Sequence, residues 1–228
     1  MNHHLDAPRT VTLAFIDATV TEGKLLAAGV QERVTAITIN SQDGIEEITE
    51  DIGKYAAKFG TVDAVHLMAH GSPGSWHLGK TVITHNNIEN YHQELSQWQV
   101  KDIIIYGCQV AAGAGKSLLA KINQITGADV AANFDITGAA ALGGNWNLAF
   151  VAGEKAGLKL ENLALTPATI AAYGGIFATL TVSSNADSGV GSLREAISTA
   201  QPGDTITFAS SLANQTITLS SQLEIDKN

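Results

Sequence analysis

Two apolar runs of the chain end in residues capable of nucleophilic chemistry. Val65-His66-Leu67-Met68-Ala69 leads into His70-Gly71, and Ile103-Ile104-Ile105-Tyr106 leads into Gly107-Cys108. Ligands of open α/β sheets sit beyond the carboxyl ends of the strands. His70 and Cys108 are therefore expected on one rim, at the ends of neighbouring strands. A thiol with a pKa near about 8.5 is only a few per cent thiolate at neutral pH. An imidazole beside it raises that fraction, or later protonates a leaving amine. The N–H groups of Gly71 and Cys108 are available to hold a developing oxyanion, where one donor contributes roughly 10²- to 10³-fold in rate. Cys108 is the only cysteine, so it forms no internal disulfide. Taken alone, a cysteine at a strand end is more often a small buried apolar residue. The pairing with His70-Gly71 is what favours a nucleophile.

Short β-rich runs alternate with helical periodicity from residue 11 to about 150. The runs are Val11 to Ile16, Val34 to Ile39, Val62 to Met68, Ile103 to Tyr106, Ala128 to Ala132 and Trp146 to Val151. Between them Ile45, Ile48, Ile52, Tyr55 and Phe59 recur at helical spacing, as do Ile88, Tyr91, Leu95 and Trp98, and then Leu118, Leu119, Ile122 and Ile125. This order predicts an α/β fold with a mostly parallel, six-stranded sheet covered on both faces. Pro73-Gly74 and Gly79-Lys80 predict a small hairpin over Ser72 to Thr84. Residues 153–177 are Ala-rich and weakly patterned and read as a linker or loosely docked arm. From 178 to 228 the alternation of Thr, Ser and Ile, as in Thr205 to Phe208 and Thr216 to Leu219, predicts a second, β-type unit with one short helix over Ser192 to Ala200.

Composition excludes several classes of partner. Thirteen Lys and Arg against 22 Asp and Glu give a net charge of -9, which disfavours nucleic acid and anionic membrane surfaces. No run approaches the ~20 apolar residues of a membrane span, and the first ten residues carry no signal-peptide pattern. His66, His70, His77 and Cys108 are ligand types that suit zinc, but their spacing matches no strong motif. Gly113-Ala114-Gly115-Lys116-Ser117 fails as a phosphate loop, because residue 110 is valine where the first glycine would stand.

The strand-end pair His-Gly and Gly-Cys resembles that of caspase-like cysteine peptidases, the clan CD group that includes caspases, metacaspases, gingipain and clostripain. Phe15-Ile16-Asp17, Ala69 to Gly74, Tyr106-Gly107-Cys108 and Thr137-Gly138-Ala139-Ala140 through Gly144-Asn145-Trp146 are similar to an uncharacterised bacterial family found at the N-terminus of large surface or secreted proteins. The resemblance covers residues 10–152. It implies a three-layer caspase-like sandwich, a His70 and Cys108 dyad, an oxyanion hole of Gly71 and Cys108, and secretion or surface display. Tyr106-Gly107-Cys108-Gln109-Val110 stands where caspases have Gln-Ala-Cys-x-Gly, so a preference for aspartate is not implied. In such peptidases the end of the first strand shapes the S1 pocket, and an acid there, Asp17, suggests Lys or Arg before the cut bond. Asp135 is a second candidate acid, and Trp76 a candidate pocket wall. The plainer reading of Asp17 is a turn cap.

Leu180-Thr181-Val182, Asn185 to Gly189, Gly191-Ser192-Leu193-Arg194-Glu195-Ala196-Ile197 and Gly203 to Phe208 resemble the opening cap of right-handed parallel β-helices in bacterial surface proteins. Arg194 and Glu195 read as capping or ion-pair residues. Two functions follow from these features. The first is a cysteine endopeptidase that acts on a polypeptide, its own chain or a neighbour's, with Lys155 and Lys159 as candidate cleavage sites. It requires no cofactor, and calcium stays open as an activator. The second is a non-catalytic binding or display module at the front of an adhesin.

Overall fold

Side chains leave a strand on alternate faces, and the chain exploits this to build two separate cores. In the computed structural model, which describes residues 9–154, 162–182, 184–189, 192–200 and 205–225, β1 (Arg9–Asp17) sends Leu13 and Phe15 to one core and Ala14 and Ile16 to the other. β3 (Gly60–Met68) and β7 (Asp102–Ile105) divide in the same way: Val65, Leu67, Ile103 and Ile105 face one side, Met68 and Ile104 the other. With β2 (Val34–Ile39), β8 (Asp129–Ala132) and β9 (Ala149–Ala152) they form one six-stranded sheet in the order β2-β1-β3-β7-β8-β9. Five strands are parallel and the edge strand β9 is antiparallel to β8.

The first face is covered by α2 (Ile45–Phe59), α3 (His92–Leu95) and α4 (Gly115–Thr126), which bury Ile45, Ile48, Ile52, Leu95, Leu118, Leu119 and Ile122. Glu46 and Glu47 lie in the first turn of α2, where the helix dipole favours negative charge, and Glu47 accepts the Gly44 N–H at 2.7 Å. The predicted hairpin is a three-stranded antiparallel sheet of β4 (Gly71–Ser72), β5 (Ser75–Leu78) and β6 (Thr81–Thr84).

Residues 155–161 of the stretch read as a linker or loosely docked arm, 153–177, lie outside the described residues, but residues 163–177 pack onto the sheet's second face. After α1 (Gly23–Ala28), it is covered by Leu163, Ala164, Leu165, α5 (Pro167–Ala172), Tyr173 and Phe177, and all but the helix surface are buried. Backbone and side-chain hydrogen bonds fasten this stretch. Gln31 N–H donates to Ala164 O at 2.7 Å, Thr166 N–H and Thr169 Oγ1 each donate to Gly29 O at 2.9 Å, and Ala164 N–H donates to the Tyr106 hydroxyl at 2.9 Å. The burial gives no sustained period: a run of three buried residues, a helix of six and a five-residue alternation follow one another. Thr166-Pro167 was the available signal, an N-cap followed by proline at N1, and the Thr166 side chain does accept the Thr169 N–H.

The second unit consists of β10 (Thr179–Val182), α6 (Leu193–Thr199) and β11 (Thr205–Phe208), with β10 and β11 paired in parallel from Thr179↔Thr205 to Val182↔Phe208. Ser192 caps α6, and Arg194 pairs with Asp187 at 2.7 Å while donating to the carbonyls of Ser221 and Gln222. Thr216 to Leu219, read as a strand from its alternation, has no ladder partner among the described residues and is not in a strand.

One buried polar pair sits in the second core. The Tyr106 hydroxyl accepts from Ala164 N–H and shares a second hydrogen bond, of 2.9 Å, with His66 Nδ1. Burial pushes the phenol pKa up and the His66 imidazole down to about 3, the Arg33 charge adding to the latter shift, so both groups stay neutral. An unfolded chain, with histidine near about 6.5, binds a proton at His66 that the folded chain refuses. Stability from this group is therefore complete above pH 6.5 and falls as the pH drops toward the folded value. Between pH 7 and pH 5 it should cost about 2 kcal/mol, read as a lower urea midpoint. His66→Gln, which keeps an acceptor for Tyr106, should flatten that part of the profile.

Candidate active site

β3 and β7 are hydrogen-bonded neighbours with Leu67 opposite Ile105, and the turns that follow them touch backbone to backbone. A Cβ on Gly71 would lie 2.6 Å from Val110 Cγ2 and 2.9 Å from the Cys108 carbonyl oxygen; one on Gly107 would lie 3.1 Å from Gly71 Cα. Only glycine at both positions permits this approach. Its result is that two N–H groups converge on one point: Gly71 N–H and Cys108 N–H donate to the same oxygen, the carbonyl of Phe177, at 3.0 and 2.9 Å. Gln109, immediately after the cysteine, adopts φ 55°, a left-handed conformation of the kind found where the surrounding structure over-determines a functional turn. Its N–H donates to Asp135 O at 2.8 Å.

His70 Nε2 lies 3.1 Å from the Thr19 carbonyl. A carbonyl only accepts, so Nε2–H donates to it, and Nδ1 is buried without a hydrogen-bond partner among the described residues. Thr19 is held in turn by Asp17, whose Oδ1 accepts the Thr19 N–H at 2.8 Å and its hydroxyl at 2.7 Å, and whose Oδ2 accepts Gly79 N–H at 2.6 Å. Asp17 thus joins the end of β1 to the hairpin and fixes the carbonyl that orients His70. His77 on the hairpin has its pKa lowered by burial, with the neighbouring His70 adding and Asp17 opposing. The Cys108 thiol is buried; its sulfur accepts the Thr137 N–H at 3.2 Å and faces Thr137 O at 3.5 Å. A donor of that kind strengthens when the sulfur carries charge.

Thr137-Gly138-Ala139 forms the side wall. Asn133 braces it, bonding Asn145 Oδ1 at 3.0 Å, while Thr137 bridges to Asn145. Residues 175–178 lie extended along this wall: Ala139 N–H donates to Gly175 O at 2.8 Å, Phe177 N–H donates to Thr137 O at 3.0 Å, Gly138 pairs antiparallel with Ile176, and Gly71 pairs parallel with Ala178. The fully buried Phe177 ring packs against Tyr173, Trp146 and Tyr106 at centroid distances of 5.4, 5.9 and 6.4 Å. The chain fills its own cleft.

Of the residues singled out from sequence, Gly71 and Cys108 come together at the Phe177 carbonyl, while the His70 ring, one residue before Gly71, lies on the Thr19 carbonyl and the Cys108 sulfur on Thr137. Asp17 takes the turn-capping place, 3% exposed with both oxygens engaged, so it presents no free carboxylate to a basic side chain. Trp76 is 1% exposed and belongs to the first core, beneath β4. Asp135 is exposed and contributes its carbonyl to the turn at Gln109. Lys155 and Lys159 lie outside the described residues. His66 is tied to Tyr106 rather than to His70, and among the described residues no three His, Cys, Asp or Glu side chains are grouped to share a cation. Thr19, Thr137, Gly138 and Phe177 were missed; Thr137 and Gly138 belong to a motif noted in the sequence, whereas Phe177 carries no local signal.

Gly71→Ala should destabilise the protein by roughly 1–3 kcal/mol in urea unfolding, because the new methyl meets Val110 and the Cys108 carbonyl rather than open space. Gly53→Ala, at a helical position with nothing within 4 Å of its Cβ, is the control and should be neutral or stabilising.

No curated protein matches the chain. One family does, over residues 13–177, a stretch that takes in the six-stranded sheet's core, both layers and the segment seated in the cleft, and that ends on Phe177 itself. The chain belongs to the family described as domain of unknown function DUF4347.

Proposed function

We propose that residues 9–177 are a caspase-like cysteine endopeptidase domain that processes its own chain or a neighbouring surface protein. One observation carries this reading: the N–H groups of Gly71 and Cys108 converge on a single carbonyl oxygen, the geometry an oxyanion needs. The His70 ring, oriented through Nε2 by the Thr19 carbonyl and with Nδ1 unpartnered among the described residues, is the base in this reading. Cys108 attacks the carbonyl, His70 carries the thiol proton to the leaving amine, and the two amides stabilise the tetrahedral oxyanion, each by roughly 10²- to 10³-fold. Calcium is retained as a candidate activator. The aromatic surroundings of the seated residue and the engaged oxygens of Asp17 argue against selection of Lys or Arg through Asp17. The parallel pair β10 and β11, linked through α6, supports reading the second unit as the opening cap of a right-handed parallel β-helix, and with it a place at the head of a secreted or surface protein.

The alternative is a binding or display module with no catalysis, and the filled cleft is the observation that favours it. Incubation of the full chain with and without calcium, beside Cys108→Ala, separates the two. Fragments that appear by mass spectrometry only when Cys108 is intact are the expected outcome. Identical processing of both proteins, in either condition, would favour the display module.

A further inference from the structure

We infer that Phe177–Ala178 is the bond this site is built to cut, within its own chain, and that the pocket selects an aromatic residue on the acyl side. The inference rests on the peptidase reading above and names its substrate. Three independent features of the cleft are matched to this segment. The Phe177 carbonyl is held at both available lone pairs, by Gly71 and Cys108. The backbone before it is held in extended form, with Phe177 N–H on Thr137 and Gly175 O on Ala139, so the acyl-side residues are aligned over two anchoring bonds. Gly138, at φ 130°, has no room for a side chain: a Cβ there would lie 2.8 Å from Ile176 Cα and closer still to the Gly175 carbonyl oxygen. The wall is therefore shaped around this strand.

Selectivity follows from what surrounds the ring. Tyr173, Trp146 and Tyr106 enclose Phe177 with stacked, edge-on and tilted contacts, and no charged group is among these ring contacts. Aromatic pairs add attraction beyond the area they bury, and a basic or acidic side chain would enter this surround unpaired. The leaving side is also defined. Ala178 pairs with Gly71, the residue after His70, which makes His70 the nearest histidine along the chain to take up the departing amine's proton.

In the reaction the Cys108 sulfur forms a bond to the Phe177 carbonyl carbon while the carbon–nitrogen bond to Ala178 breaks. The thiol proton reaches the Ala178 amine through His70. Water then adds to the thioester, one of its protons returns through His70 to the sulfur, and the products are a Phe177 carboxylate and an Ala178 amine.

The experiment uses the full chain, incubated with and without calcium, with N-terminal sequencing and intact-mass readout. Wild type should yield a new N-terminus at Ala178. Cys108→Ala should stay whole, with an unchanged thermal midpoint as the folding control. Phe177→Leu, which keeps an apolar side chain but loses the ring contacts, should slow the cut about 10-fold. Cys108-dependent fragments that begin at any other residue would overturn the inference and leave the peptidase reading standing. So would an uncut wild type whose Phe177→Asp variant, with the segment driven from the cleft, is labelled at Cys108 by a thiol-reactive peptide ketone ending in Phe. An uncut wild type with no labelling of that variant, folded by circular dichroism, would remove both.

Discussion

The approach of Gly71 to Gly107 is the contact on which the site depends. Adjacent strands run about 4.8 Å apart, and side chains on the turns beyond them would ordinarily spread those turns. Two glycines and the Val110 methyl that closes over both let the turns meet instead. From that meeting the rest follows. The amides of Gly71 and Cys108 acquire a common target, the cysteine is placed beside Thr137, and His70 reaches the turn after β1, where the Thr19 carbonyl holds its ring. Removal of a carbon atom from each turn thus does more for the geometry than any polar side chain in the cleft.

Burial then decides what each polar group is able to do. His66 lies in β3 and His70 two residues beyond its end, yet one is buried and bonded to Tyr106 while the other keeps an unengaged nitrogen. Their difference comes from neighbours in the second layer, not from the strand. Asp17 illustrates the same point. Its carboxylate is spent on a turn and on Gly79, and its influence on the cleft passes through the Thr19 carbonyl.

Much of this was readable from residue order. The strands, α2 and α4 announce themselves by period, and His70 and Cys108 by their place at the ends of two apolar runs, because both signals are local. What failed to show is everything set by contact between distant segments. Residues 163–165 are a buried run of three and 173–177 alternate over only five residues, so neither stretch is long enough to stand out from a linker. Asp17 looked like a pocket acid because a sequence does not reveal which backbone amides will reach a carboxylate. Trp76 sits near His70 along the chain, but the pleat of β5 turns it into the opposite core.

The fastening of residues 163–173 has a mechanical consequence. Ala164 is tied to Gln31 and Tyr106, and Thr166 and Thr169 to Gly29, all upstream of the seated strand. Tension applied to the chain beyond Ala178 would therefore be borne first by the three-residue stretch from Gly175 to Phe177 and by the ring lodged among Trp146, Tyr106 and Tyr173. The sheet and its two layers lie behind the anchors and outside the load path, so a pull would empty the cleft before it unfolded the domain.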